Sequence, residues 1–313
     1  MNNYRYVKYF RYISKRFFHT LLILIVVSMF VFLAMNFAPG NPAEIILGQD
    51  ATPENIMKLE EEMGLDLPLP IQYLNFVKGL ITLDFGKSFH TRRPVIDEIV
   101  RSFPISLKLA SVAILISSVL GIFIGVISSV KRGTVLDDII RISVLAGVSV
   151  PIFWLGLVLI YIFSIQFKIF PATGWGTYRQ MVLPCLTLAT FPLALFVRFT
   201  RSSMLEVIRQ DYIRTALAKG LPYKTVIFRH ALRNALIPVI TLIGLQFAAL
   251  IAGSVMTETV FNIPGLGRLL ISGIYSRDYP VVRTCVVLVA IFFTSVNLLI
   301  DVLYSVIDPR ISL

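Results

Sequence analysis

The chain has 313 residues, of which 56% are hydrophobic and only 15% charged, with a formal net charge of +11. A soluble domain of this size needs more charge to cover its surface, so the composition points to a membrane protein. The 18 glycines and 16 prolines are scattered without a period, which sets aside collagen-like and disordered readings, and the excess Lys/Arg fits cytoplasmic segments more simply than nucleic-acid binding.

Residues 1–19 carry Arg5, Lys8, Arg11, Lys15 and Arg16 and no acid. An uncharged run from Phe17 to Ala43 follows, long enough to cross a ~30 Å hydrocarbon core at ~20 residues. A cleaved signal peptide is the rival reading. The apolar core is long for one, and no small-x-small site precedes Pro39-Gly40. The basic flank places the N-terminus in the cytoplasm. Residues 40–104 are the longest polar segment, with ten Asp/Glu against six Lys/Arg, and therefore belong outside. Within them TPENIMKLEEEMGL predicts a capped helix starting near Thr52 or Asn55. Phe85-Gly86-Lys87-Ser88 resembles the end of a phosphate loop, but Ile81 stands where that motif requires glycine.

Further uncharged runs predict spans over Leu109–Val130, Ile142–Phe167 with a kink at Pro151, Met181–Val197, Ala235–Thr257 and Thr284 to about Leu303. Together with the first run they make six, both termini inside. Cys185 and Cys285 sit in apolar runs and read as small buried hydrophobes. His19, His90 and His230 lack the spacing of metal ligands or of a catalytic dyad. No Asp, Glu, Lys or Arg falls inside the runs except Asp301 near the inner end of the last, which argues against an ion-coupled carrier.

One stretch stands apart: Ser203 to Pro238, lying between the fourth and fifth runs. Between Arg198 and Arg233 there are eight Lys/Arg against Glu206 and Asp211. Leu205, Ile208, Tyr212 and Ala216 recur at the spacing of one helix face. Gly220 then suits a helix end that needs positive φ, and Pro222 suits the start of a new helix. The local reading is helix, sharp turn, second helix, held between two spans.

The segment Tyr212-Ile-Arg-Thr-Ala-Leu-Ala-Lys-Gly220 resembles the cytoplasmic loop of ABC importer permeases, in the form typical of the dipeptide/oligopeptide permease family. Ala38-Pro-Gly-Asn-Pro42, Glu258-Thr-Val-Phe-Asn-Ile-Pro-Gly-Leu-Gly-Arg268, Arg277-Asp-Tyr-Pro280 and Asp308-Pro-Arg-Ile311 resemble the same family, in its order, and the long segment after the first span resembles its B-type subunit. The general loop pattern runs Glu-Ala-Ala, three residues, Gly, nine residues, Ile-x-Leu-Pro. Ala216, Gly220 and Leu232 match it; Arg214 replaces the acid, while His230 and Arg233 stand in the Ile and Pro places.

The resemblance implies an all-α membrane protein with six transmembrane helices, a type I ABC importer permease with a cytoplasmic helix-turn-helix coupling loop. Residues 1–19 would be a cytoplasmic segment and 20–313 one permease domain, with the extracytoplasmic loop at about 40–104 and the coupling loop at about 200–235. It implies no catalysis in this chain, ATP and Mg being held by two cytoplasmic ATPases. A second homologous permease and an extracytoplasmic substrate-binding protein complete the expected partners, in a bacterial or archaeal cell membrane. ATPase contact is expected of Arg214, Thr215, Ala216, Ala218, Gly220, Leu221, Tyr223, Lys224, Val226, Ile227 and Arg229. The cargo would be dipeptides or oligopeptides, with nickel chelates, glutathione or other small solutes as alternatives; outside the family the rivals are an ion-coupled carrier and a receptor-like scaffold.

Overall fold

A computed structural model describes residues 2–37 and 40–307, with side chains from 14–37 and 40–302. Arg5, Lys8 and Arg11 lie outside the described side chains, and Ala38-Pro39 and Asp308–Ile311 of the family motifs outside the described residues. Among the described residues every regular element is helical. Five helices are long and apolar enough to cross a membrane, and a sixth span results if one bent pair counts as a single crossing. The chain forms two compact units, Met1–Ser106 with Pro264–Leu313, and Leu107–Ile263.

The first unit opens with α1 (Asn2–Asn36). This helix ends before the uncharged run does, because Asn41 caps a new short helix, α2 (Pro42–Leu47), by accepting from the Ala43 amide at 2.9 Å. The acidic segment is not an open loop. It folds into α2, α3 (Pro53–Met63) and α4 (Leu69–Thr82), and its last ten residues are already helical. Thr52 is the cap of α3, its hydroxyl accepting from Asn55 N–H at 3.3 Å. The α4 helix packs on α1 through Tyr73 and Phe76 against Phe32, with Ser28 and Tyr73 hydroxyls 3.0 Å apart. Near the middle of α1, Arg16 pairs with Asp301 at 2.9 Å. Val95 and Ile99 of α5 (Val95–Val130), Leu266 of α12 (Leu266–Tyr275), and Val281 and Cys285 of α13 (Tyr279–Ile307) make an apolar core.

The second unit takes the rest of α5, α6 (Val135–Ser149), α7 (Ile152–Leu159), α8 (Tyr178–Ile208), α9 (Asp211–Ala218), α10 (Tyr223–Thr225) and α11 (Leu232–Val260). The sequence predicts one kinked span around Pro151. The chain instead breaks by 105° between Val135–Ser149 and Ile152–Gln166, since the proline ring forces Val150 into an extended conformation. Helices α5 and α8 touch backbone to backbone. A Cβ on Gly121 would stand 2.6 Å from the Phe196 Cβ, and one on Gly125 2.6 Å from the Thr200 Cβ. This Gly-xxx-Gly pair is the small-residue seam that lets membrane helices approach closely.

Helices outrun the apolar stretches that announce them. The predicted apolar runs stay free of charge apart from Asp301, but the helices that carry them extend past the run ends to take in Arg201, Arg233, Glu258 and Arg283. A charge costs little at a helix end or against a polar partner, and the hydropathy of a run does not report how far its hydrogen-bond ladder continues. Both cysteines are buried, and no disulfide joins them.

Candidate functional site

The basic stretch predicted as helix, turn and helix forms a three-part element. Helix α8 runs into it and stops at Ile208, the chain is extended at Gln210 (φ −71°, ψ 149°), and α9 begins at Asp211, an acid in the first turn where the helix dipole favours one. Sequence periodicity places Leu205, Ile208, Tyr212 and Ala216 on one continuous face. The break at Gln210 shifts that phase: Ile213 is buried and Tyr212 is turned outward, its hydroxyl accepting from Asn234 Nδ2 at 2.8 Å. After Ala218 the chain turns at Gly220, whose φ of +78° is the left-handed conformation the sequence anticipates. Its N–H donates to Leu217 O at 2.9 Å and Leu221 N–H reaches back to Ala216 O at 3.4 Å, closing the end of α9. Pro222 then caps α10, where its missing N–H costs nothing. The second helix is not a separate piece: through a wide π-helical turn at Val226–Ala231 it is continuous with the next span, Tyr223–Val260.

Two faces divide this element. Inward, Ile213, Ala216, Val226, Ile227, Ala231 and Ala235 are buried against Met204 of α8 and Val126 of α5. Val226 and Ile227, expected to offer apolar contact to a partner, are therefore spent on the chain's own core, at 0% and 2% exposure, and so is most of Ala216. Outward stand Arg214, Thr215, Ala218, Gly220, Leu221, Tyr223, Lys224 and Arg229, joined by Arg209, Lys219 and Arg233. The sequence reading missed Leu217 and Phe228, which are 42% and 58% exposed beside Leu221 and Tyr223. The outward side thus carries exposed apolar residues interspersed with cations.

A buried ion pair holds α8 in register beneath this surface. Arg201 Nε and Nη2 each donate to one oxygen of Asp137 at 2.8 Å, and Ser128 Oγ and the Gly133 N–H, at 3.2 Å, complete the carboxylate's partners. Asp137 is 1% exposed, so the four donors compensate its loss of water. Ser203 Oγ donates to Ala235 O at 2.9 Å, pinning α8 to α11.

The first unit carries a second polar knot. Asp278, 2% exposed, accepts from Ser88 Oγ and from the amides of Phe89 at 3.1 Å and His90 at 3.3 Å. Ser88, the final residue of the phosphate-loop look-alike, is thus a structural fastener. Among the described residues no group of three or more His, Cys, Asp or Glu is placed to hold a metal ion.

Comparison with known proteins bears on this architecture. Residues 117–313 match the family described as binding-protein-dependent transport system inner membrane component, and residues 9–110 match the N-terminal part of such membrane components. The chain is 42% identical over 317 residues to the dipeptide transport system permease protein DppB of Escherichia coli K12, covering 91% of this chain and 94% of that one. It is 40% identical over 300 residues to the glutathione transport system permease protein GsiC of the same strain, covering 96% and 98%. It is 38% identical over 308 residues to a probable peptide ABC transporter permease of Sinorhizobium fredii, again covering 96% and 98%. Among solved structures, the inward-facing MetNI methionine ABC transporter contains a chain that superposes with a TM-score of 0.58 at 20% identity, covering 68% of this chain and 97% of that one.

Proposed function

Because the chain belongs to the inner membrane components of binding-protein-dependent transport systems, we propose that it is the permease subunit of an ATP-driven importer of dipeptides or short oligopeptides. The reading of cargo rests on relatives named for dipeptides, peptides and glutathione, itself a peptide, at about equal identity. A second homologous permease completes the pathway, two cytoplasmic ATPases supply the energy, and an extracytoplasmic binding protein delivers the peptide. The basic N-terminal flank supports a cytoplasmic N-terminus, and an even count of six spans then supports a cytoplasmic C-terminus and helix-turn-helix, in the membrane of a bacterial or archaeal cell.

The single observation that carries the mechanism is the two-faced element at 209–234. Its buried side is continuous with the packing of α5, α8 and α11, while its outer side presents Leu217, Leu221, Tyr223 and Phe228 within a cationic rim. A push on α9 from an ATPase is therefore transmitted to two spans at once, because α8 enters the element and α11 leaves it without a flexible linker. Steric coupling through packed helices of this kind converts closure of the ATPases into rocking of the bundle. Arg214, Lys224 and Arg229 would meet acidic groups on the ATPase, steering the encounter more than setting its strength.

Co-purification with the candidate ATPases, wild type beside Gly220→Glu, tests this. Wild type retains ATPase and supports peptide-dependent ATP turnover in nanodiscs; the variant inserts but loses both. Wild type that folds with its second permease and holds no ATPase refutes the importer mechanism.

A further inference from the structure

Arg283 is the fifth residue of α13, inside the span Tyr279–Val302, yet among the described residues no carboxylate is hydrogen-bonded to it or within ion-pair distance; the buried Asp278 carboxylate acts on it only through longer-range attraction. Its guanidinium lies 5.6 Å from the Phe32 ring centre and 5.2 Å from that of Phe76, and its Nε donates to Tyr279 O at 3.2 Å. Two aromatic faces and one backbone carbonyl thus fix the plane and rotation of the fork. No acceptor among the described residues lies within hydrogen-bond distance of its two terminal nitrogens. A guanidinium within a span that is held rigid, with no acceptor bonded to its terminal nitrogens, is oriented to take an anion, because bidentate recognition needs the fork set in advance.

That group lines a cavity of about 570 Å³ in the first unit, within the ~300–1,000 Å³ range of small-ligand sites. Asn75 and Thr284 add neutral hydrogen-bonding groups, and Lys87 adds a second cation. Arg92 also lines it, while two acids, Glu62 and Asp84, stand in the same wall. A purely anionic ligand would meet those acids with its own charge. A ligand carrying both signs satisfies both sets.

We propose that this cavity binds a small zwitterion, Arg283 gripping its carboxylate while its ammonium faces Asp84 and Glu62. Under the importer reading the occupant is a short peptide with a free carboxyl terminus, so the choice of peptide rests on that reading. The cavity then checks the cargo's carboxyl end within the permease itself, independently of the binding protein.

The test uses the permease pair with its ATPases in nanodiscs, without the binding protein, and tritiated dialanine as the probe. Saturable binding is expected, with dialanine amide competing at least tenfold more weakly than dialanine. Arg283→Gln should weaken binding at least tenfold and Lys87→Gln by two- to threefold. Asn75→Phe, which fills the cavity from an exposed position, should abolish binding and keeps the test open if Arg283→Gln does not fold. No saturable binding by wild type, equal competition by the amide, or full binding by a folded Arg283→Gln overturns the proposal. So does native mass spectrometry that finds a phospholipid lost only in Arg283→Gln while dialanine fails to bind, which assigns the site to a headgroup. Peptide flux through the complete system with its binding protein separates the two readings: flux without dialanine binding sinks the site alone, and no flux sinks the importer.

Discussion

The helix-turn-helix at 209–234 and the knot around Asp278 use charge in opposite ways. Asp278 is buried, and its oxygens are bonded by Ser88, Phe89 and His90, nearly two hundred residues earlier in the chain. In the helix-turn-helix the cations face outward, and the inner side is entirely apolar. A charge turned inward and fully bonded fastens a loop; charges turned outward over a rigid apolar base are offered to something else.

The largest effect that separates them should come from Asp278→Ala. It orphans a hydroxyl and two amides, for a loss of about 3–4 kcal/mol, read as a lowered thermal unfolding midpoint of the purified protein. If Asp278→Ala costs no more than a surface substitution, the contrast fails. Next, Ile213→Ala removes a fully buried side chain from beneath the helix-turn-helix and should cost about 2–3 kcal/mol, with weaker ATPase retention because the base is loosened. Gly220→Ala should cost about 1 kcal/mol, since a Cβ meets no neighbour there and only the positive φ is penalised, while ATPase binding persists; a larger stability loss would mean the turn is packed after all. Smallest in stability, Lys224→Ala and Arg229→Ala should each change the midpoint by less than about 0.5 kcal/mol. Their signature is instead a slower, less salt-sensitive association with the ATPase, measured by surface-immobilised kinetics.

Much of this was legible in the chain. Hydropathy located all six apolar runs, Gly220 and Pro222 announced the turn, and Thr52 the start of α3. What escaped were phases and ends. The face through Leu205, Ile208, Tyr212 and Ala216 counts as one helix only while the helix is unbroken, and a single extended residue at Gln210 exchanges Tyr212 for Ile213. The outward face proposed for docking was legible only in part: its cations are visible in sequence, but Val226 and Ile227 look the same as Leu217 and Phe228 until packing separates them. Asp278 was visible only as part of a family motif, and the roles of Asp137, Asp278 and Arg283 escaped notice because their partners or cavity lie far off in sequence or outside the apolar runs.

Composition and local pattern by themselves determined that the chain is a multi-span helical membrane protein with one basic interruption, because hydrocarbon tolerates only internally bonded backbone and long apolar runs. Tertiary structure alone decided which side of that interruption faces outward, how sharply the chain breaks at Pro151, and that Arg283 stands oriented with no acid bonded to it. Those depend on which helices meet, and the meeting is set by side-chain shape at places such as Gly121 and Gly125, where a missing Cβ rather than any hydropathy value brings two helices together.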